Sequence, residues 1–325
     1  SDLLLNLLDF ANVSGASPAE KKMAGRCFSG CCALFGKQRS PESAQLHHQP
    51  TRHKDDYPEA TDHHHGEVHG MNMKINSGHK ETTPHWGYIP DTPCGPTHWG
   101  CLCKAYAAAA EGREQSPIDL FDHVCTNAES TLHMLQLKYT PSAGMLENNG
   151  HSCQLNFKDA GNAVIEGNTY ELKQIHFHAP SEHTVNGMLF PLEMHMVHAD
   201  ADGKLAVIGL LFEHGNANPF LQTFWDELTE EVGEKKELKG PFDMNMVDLT
   251  SSNYFRYQGS LTTPPCTEGV NWTVMRDAFQ VSPAQVDKFR QVMNFKFQRR
   301  GNNRPVQPLN DRVLQTYNAS SMLDG

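Results

Sequence analysis

Hydrophobic positions are spread unevenly along this chain, and the unevenness divides it. The opening SDLLLNLLDF gathers leucines on one side of a short helix with Ser1 or Asp2 as its cap, which predicts an amphipathic docking segment within residues 1–36. Residues 37–84 are rich in Pro, His, Asp, Glu, Ser and Thr and nearly free of aliphatic periodicity. Burial there is too small to offset the entropy of ordering, so the stretch reads as a flexible linker. From His85 the texture changes to short apolar or alternating runs separated by turn signals such as NNG, ADADGK and HGNANP. ELKQIHFHA, FPLEMHMVHA and KLAVIGLLFEH have strand length. Helical pattern is confined mainly to NPFLQTFWDELTEEVG, with Asn218 as cap and Pro219 in the first turn, and SPAQVDKFRQVM, with Ser282 and Pro283 in the same roles. A strand-dominated domain with peripheral helices is expected over 85–317, followed by a tail, 318–325.

Charge and composition narrow the function classes. The formal net charge is −11, and the first 84 residues carry nine Lys/Arg against ten Asp/Glu, so −10 of it belongs to the part from His85 onward. An acidic surface without a Lys/Arg cluster argues against a nucleic-acid partner. No apolar run reaches the ~18 to 20 residues that a membrane-spanning helix needs. Residues 1–84 are instead expected to serve docking, onto a second copy or another partner. Within them, His63, His64, His65 and His69 form a cluster that can capture metals or buffer protons, set against the plainer reading of a solvated tract. Nine cysteines fit no common zinc-finger spacing, and an odd number leaves one unpaired within a monomer.

One constellation carries chemistry. In QIHFHAPSEH, His176 and His178 are two apart, which on a strand sends both imidazoles to one face and Phe177 to the other. Sixteen residues lie between His178 and His195, and they include Asn186-Gly187, a strong hairpin signal. An antiparallel strand returning through EMHMVH can set His195 opposite the pair. Three neutral nitrogen ligands with an open fourth position are what a catalytic zinc uses to lower the pKa of bound water to about 7.

HWGY, QSPIDL, NNGH, HFHAPSEH, EMHMVH, GSLTTPPCTEG and NRPVQPLN then occur in the order seen in alpha-class carbonic anhydrases, and the chain from about Pro84 to Tyr317 resembles that family. The texture, with Ala179-Pro180 after the second histidine, is similar to bacterial and algal members. The resemblance implies a single large, twisted, mostly antiparallel sheet of about ten strands with short peripheral helices. It implies reversible hydration of carbon dioxide to bicarbonate and a proton by zinc hydroxide, with one catalytic Zn2+ on His176, His178 and His195. Gln174 and Glu193, each two residues before a ligand, match residues that orient ligand imidazoles, and a backbone carbonyl near Asn302 serves the third. Thr262 matches the residue that orients the hydroxide and passes its own proton to Glu182; Thr263 matches a bicarbonate contact. His151 matches the proton shuttle, with Tyr88, Asn149 and Gln154 ordering the water chain, although many members have Asn where Gln154 stands. Val197, Val207, Leu261 and Trp272 match the apolar wall of the carbon dioxide pocket.

Two expectations follow from the resemblance without direct support in the spacing. Cys266 stands where extracellular and algal members often form a disulfide; its usual partner position is alanine here, so Cys101 or Cys103 is the expected partner. That bond favours an extracytoplasmic or organellar lumen, with a cytoplasmic location left open. Sequons at Asn12, Asn271 and Asn318 matter only on a secretory route. A competing function, a non-catalytic carbonic anhydrase-like binding or assembly protein docked through its N-terminal arm, predicts loss of a ligand histidine, and none is lost.

Overall fold

In the computed structural model, residues 83–121, 132–247, 249, 253–294 and 301–318 are described. The expectations for residues 1–82, including the docking helix and the histidine cluster, lie outside them, as does the end of the tail from 319.

The alternating texture after His85 folds as strands. In chain order they are β1 (Asp119–Leu120), β2 (Gln136–Tyr139), β3 (Ser142–Asn148), β4 (Cys153–Phe157), β5 (Gly161–Ile165), β6 (Asn168–His178) and β7 (Thr184–Val185). They continue as β8 (Leu192–Ala199), β9 (Leu205–His214), β10 (Lys235–Phe242), β11 (Tyr254–Ser260), β12 (Glu268–Met275), β13 (Phe279–Val281) and β14 (Gln315–Tyr317). A sheet of 12 strands has the order β10-β3-β4-β6-β8-β9-β12-β11-β14, with β5 joining β6 to β2 and β13 added against β9. All pairings in it are antiparallel except those of β12 and β13 with β9. The sheet is therefore large, mostly antiparallel and somewhat wider than the expected ten strands.

Strand alternation decides what each face does. On β6, β8 and β9 the side chains of Ile175, Phe177, Met194, Met196, Ile208, Leu210 and Phe212 enter one apolar core, while Val197, Val207 and Leu211 enter a second with Tyr257 and Trp272. The first core is closed by the helix Pro283–Val292 and the segment around Trp225. Phe177 meets Trp225 edge-on at 5.0 Å, and burying each such ring contributes about 2 to 3 kcal/mol. The Ser282 cap forms as expected: its side chain accepts from the Gln285 amide, and Gln285 reaches back to the Ser282 amide.

The expected helix over NPFLQTFWDELTEEVG is much shorter. Asn218 caps it, accepting from Leu221 N, but regular helix covers only Pro219–Gln222, followed after a turn by a 3-10 turn at Trp225–Glu227. The Thr223 hydroxyl and amide both bond the Phe220 carbonyl, which draws the chain into tighter i to i+3 bonding. Trp225 is fixed from outside the helix, its Nε1–H donating to Gln285 O at 2.8 Å.

The expected disulfide does not form. Among the described residues Cys94, Cys101, Cys103, Cys153 and Cys266 are free thiols. Cys266 is fully buried in a cluster with Tyr88 and Trp99, whereas Cys101 is exposed and Cys103 half-buried on the helical segment beyond. Burial also raises the Cys266 pKa to about 12, keeping it protonated. Asn271 sits buried within β12, so its sequon is not presented to solvent.

Candidate metal centre and cavity

His176 and His178 point from β6 to the same side, and His195 on β8 is the direct cross-strand partner of His176. The connection differs in detail from a simple hairpin. Asn186-Gly187, with φ of 50° and 77°, forms a tight local turn between Val185 and Met188, and the chain then runs on to β8. The three imidazoles have ring-centre separations of 5.1, 5.1 and 4.6 Å, and their ligand atoms all lie within 4.8 Å of one another.

Each ring is held by its outer nitrogen. His176 Nδ1–H donates to Gln174 Oε1 at 2.8 Å, His178 Nδ1–H to the Asn302 carbonyl at 2.7 Å, and His195 Nε2–H to Glu193 Oε1 at 2.8 Å. These bonds put the protons on the outer nitrogens and turn lone pairs inward at His176 Nε2, His178 Nε2 and His195 Nδ1. Two consequences point to a cation. His178 Nε2 is buried without a hydrogen-bond partner, and His195 Nδ1 faces His176 Nε2 at 3.3 Å, acceptor against acceptor. Burial keeps all three rings neutral: the pKa of His178 is lowered to about 4, and those of His176 and His195 are also lowered.

Glu193 is the hub behind the histidines. Besides His195 it accepts from His183 Nδ1–H at 2.7 Å and from the amides of Glu182 and His183 at 2.8 and 2.9 Å. Burial opposes its charge, but His183 and His195 hold its carboxyl well below the usual range. His183 Nε2 in turn accepts from Tyr257 Oη at 2.7 Å, and the Tyr257 hydroxyl bonds Ser116 Oγ at 2.9 Å. Gly209 lies opposite His195, and an added Cβ there would come within 3.3 Å of Glu193 Oε1. His183, Glu193 and His195 also converge, but the atoms that face one another, His183 Nδ1, His195 Nε2 and Glu193 Oε1, are already joined by hydrogen bonds.

Glu182 is buried, with Oε1 accepting the Arg304 amide at 2.8 Å and Oε2 3.4 Å from His178 Nε2. Burial pushes its pKa up to about 7, against the opposing pull of His195, the Arg304 amide and the Thr262 hydroxyl.

The histidines open into a cavity of about 320 Å³. Its wall includes Val197, Val207, Leu261 and Trp272, with Thr262, Thr263, Tyr88, Asn149, His151, Gln154 and Gln174 also on the lining. Every residue expected at the site is therefore brought to one place, Glu182 and Glu193 standing behind the lining. His151 lies flat against Trp86, 3.7 Å between ring centres and 8° from parallel. Burial lowers its pKa to about 4. Asn149 is partly committed to its own loop, its Oδ1 accepting from His151 N and Ser152 N. Gln154 Nε2 donates to Asn156 Oδ1 at 2.5 Å.

Sequence reasoning missed three contributors. Asn302 supplies more than a carbonyl: its Nδ2 donates to His151 O and Phe177 O, both at 2.9 Å, and its Oδ1 accepts Ala179 N at 2.9 Å. It thereby ties the His151 loop to the end of β6. The preceding Gly301 has φ of 80°, and a Cβ there would fall 1.9 Å from Ala179 O. His183 and Trp86 were the others; both stood inside recognised motifs, SEH and HWGY, without a spacing that singled them out.

Comparison with other proteins agrees with this geometry. The profile of the eukaryotic-type carbonic anhydrases matches residues 94–318. A carbonic anhydrase of Pectobacterium atrosepticum is 39% identical over 230 residues, covering 71% of this chain and 90% of the relative. Dioscorin dioA3 of Dioscorea japonica is 42% identical over 232 residues, covering 70% and 84%. The solved structure of the alpha-carbonic anhydrase from Thermovibrio ammonificans with the inhibitor sulfanilamide superposes with a TM-score of 0.67 at 42% identity, covering 71% of this chain and 99% of that one.

Proposed function

The chain belongs to the eukaryotic-type, alpha-class carbonic anhydrase family and catalyses the reversible hydration of carbon dioxide, and on that premise we propose that His176, His178 and His195 hold one zinc ion. The observation that carries the metal assignment is the inward convergence of three bare nitrogens, one of them buried with no partner. Three neutral imidazoles suit zinc with an open fourth position. Bound zinc supplies Lewis-acid activation of a water molecule near neutral pH.

The protein's own residues do the remaining work. Gln174, Glu193 and the Asn302 carbonyl fix the ligand rings, so little reorganisation accompanies metal binding. The Thr262 hydroxyl donates a hydrogen bond to Glu182, whose orientation is set by the Arg304 amide, and so leaves its own oxygen as an acceptor that aligns the nucleophilic oxygen. Val197, Val207, Leu261 and Trp272 form a dry wall suited to an uncharged linear substrate, and Thr263 meets the bicarbonate product. His151 takes the released proton toward solvent along water ordered by Tyr88, Asn149 and Gln154. Retention of every ligand, with Glu182 and Thr262 in place, favours this reading over a non-catalytic assembly role.

Metal competition tests the assignment. Zinc titrated against a chelator into the full chain is expected to fill one tight site that disappears in His178→Ala. An unchanged tight site in that variant would place the metal elsewhere, with the histidine cluster at residues 63–69 the first alternative.

A further inference from the structure

The loop that carries His151 lies between β3 and β4, outside the regular elements, and side chains supply its order. Gly150 N donates to Asn148 Oδ1, and His151 N and Ser152 N both donate to Asn149 Oδ1. Two side chains then fasten the loop to the end of β6. Ser152 Oγ donates to Phe177 O at 2.6 Å and accepts from Phe177 N at 3.1 Å. Asn302 Nδ2 spans the gap, donating to His151 O on one side and to Phe177 O on the other.

Asn302 has a second connection of a different kind. Its main-chain carbonyl accepts His178 Nδ1–H at 2.7 Å, and its Oδ1 accepts the amide of the next residue, Ala179. The residue is fully buried with its side-chain donors and acceptor all in use, so one arrangement satisfies every bond. Whatever tightens His178 on the carbonyl therefore tightens the whole clasp. A cation at His178 Nε2 has that effect: it draws electron density through the ring and makes Nδ1–H a stronger, charge-assisted donor.

On the reading that His176, His178 and His195 hold zinc, we infer that Asn302 is a positioning residue that couples metal occupancy to the order of the His151 loop. With the ion bound the loop opens less often, and with the loop held shut the ion is retained more tightly, by the same factor. The coupling is one of mobility and not of displacement, because the outer-nitrogen bonds already hold the rings in place for the ion.

Amide hydrogen exchange on the full chain, zinc-free and with one equivalent of zinc, reads the loop at Gly150, His151 and Ser152. Asp202 N and Lys204 N are held in the same fashion by Asp200 Oδ1 and serve as the reference turn. Zinc is expected to slow the His151-loop amides by about tenfold and to leave the reference turn unchanged. Asn302→Ala keeps the carbonyl for His178 but cuts the link; the slowing is expected to disappear, and chelator competition to show zinc held about tenfold more weakly. Ser152→Ala leaves every Asn302 bond, so its loop is expected to exchange faster with and without zinc while the ratio persists. No slowing in wild type, equal slowing in both turns, or slowing that survives in Asn302→Ala would overturn the coupling, and the wild-type comparison decides even where a variant fails to fold. A wild-type chain that takes up no zinc would overturn the metal reading and the coupling with it, whereas tight uptake with unchanged exchange would overturn the coupling alone.

Discussion

His198 and Tyr139 form a buried pair that the reaction does not use, and their chemistry sets a measurable acid limit on stability. His198 Nδ1–H donates to the Met196 carbonyl at 2.9 Å, so Nε2 is the acceptor for the Tyr139 hydroxyl at 2.8 Å. Burial lowers the His198 pKa from 6.5 to about 4, partly offset by the backbone groups of Met196 and Ala206. Because the folded-state value is depressed, the unfolded chain binds a proton between about pH 6.5 and 4 that the folded protein refuses. Stability is thus complete above pH 6.5 and falls as pH drops through that window. The full shift is worth about 3 kcal/mol, of which about 2 kcal/mol is lost between pH 7 and pH 5. Urea unfolding of metal-stripped wild type and His198→Gln at both pH values isolates the contribution, because the ligand histidines titrate alike in the two proteins. The variant is expected to be less stable at pH 7 yet to lose about 2 kcal/mol less on acidification. Parallel pH dependence in the two proteins would refute the linkage argument.

Three other outcomes follow from the site. His151→Ala is expected to slow turnover in weak buffer and to recover in concentrated imidazole, while equal loss in both would remove its role as proton carrier. Glu193→Gln leaves His195 less firmly oriented, and chelator competition is expected to show zinc affinity about 10- to 100-fold weaker. Gly301→Ala forces a Cβ against the Ala179 carbonyl at a positive φ; denaturant melts are expected to show a loss of about 2 kcal/mol or more, with weaker metal retention as Asn302 shifts from His178.

The site was more legible in the sequence than the fold's edges, for physical reasons. A period of two places His176 and His178 on one strand face, and the same period places Gln174 and Glu193 within hydrogen-bond reach of the rings two positions on. The pairing of His176 with His195 depends on a register that the apolar alternation of β6 and β8 enforces. Local pattern failed where a single side chain redirected the backbone. Thr223 cut short the helix that Phe220, Leu221, Phe224 and Trp225 suggested by their spacing. It failed again where the partner lay far away in the chain: Asn302 reaches His151 across 151 positions, a contact no local window contains. The unbonded Cys266 makes the same point, since whether a thiol faces inward against Tyr88 and Trp99 is a property of packing.

Carbon dioxide hydration by this chain requires a zinc ion held by the three converging histidines. Stopped-flow hydration by the full chain, stripped of metal and then restored with one equivalent of zinc, measures it directly. Activity is expected to vanish on stripping, return with zinc and stay absent in His178→Ala. A zinc-loaded wild-type protein with no rate above buffer, or a His178→Ala variant as active as wild type, would contradict it.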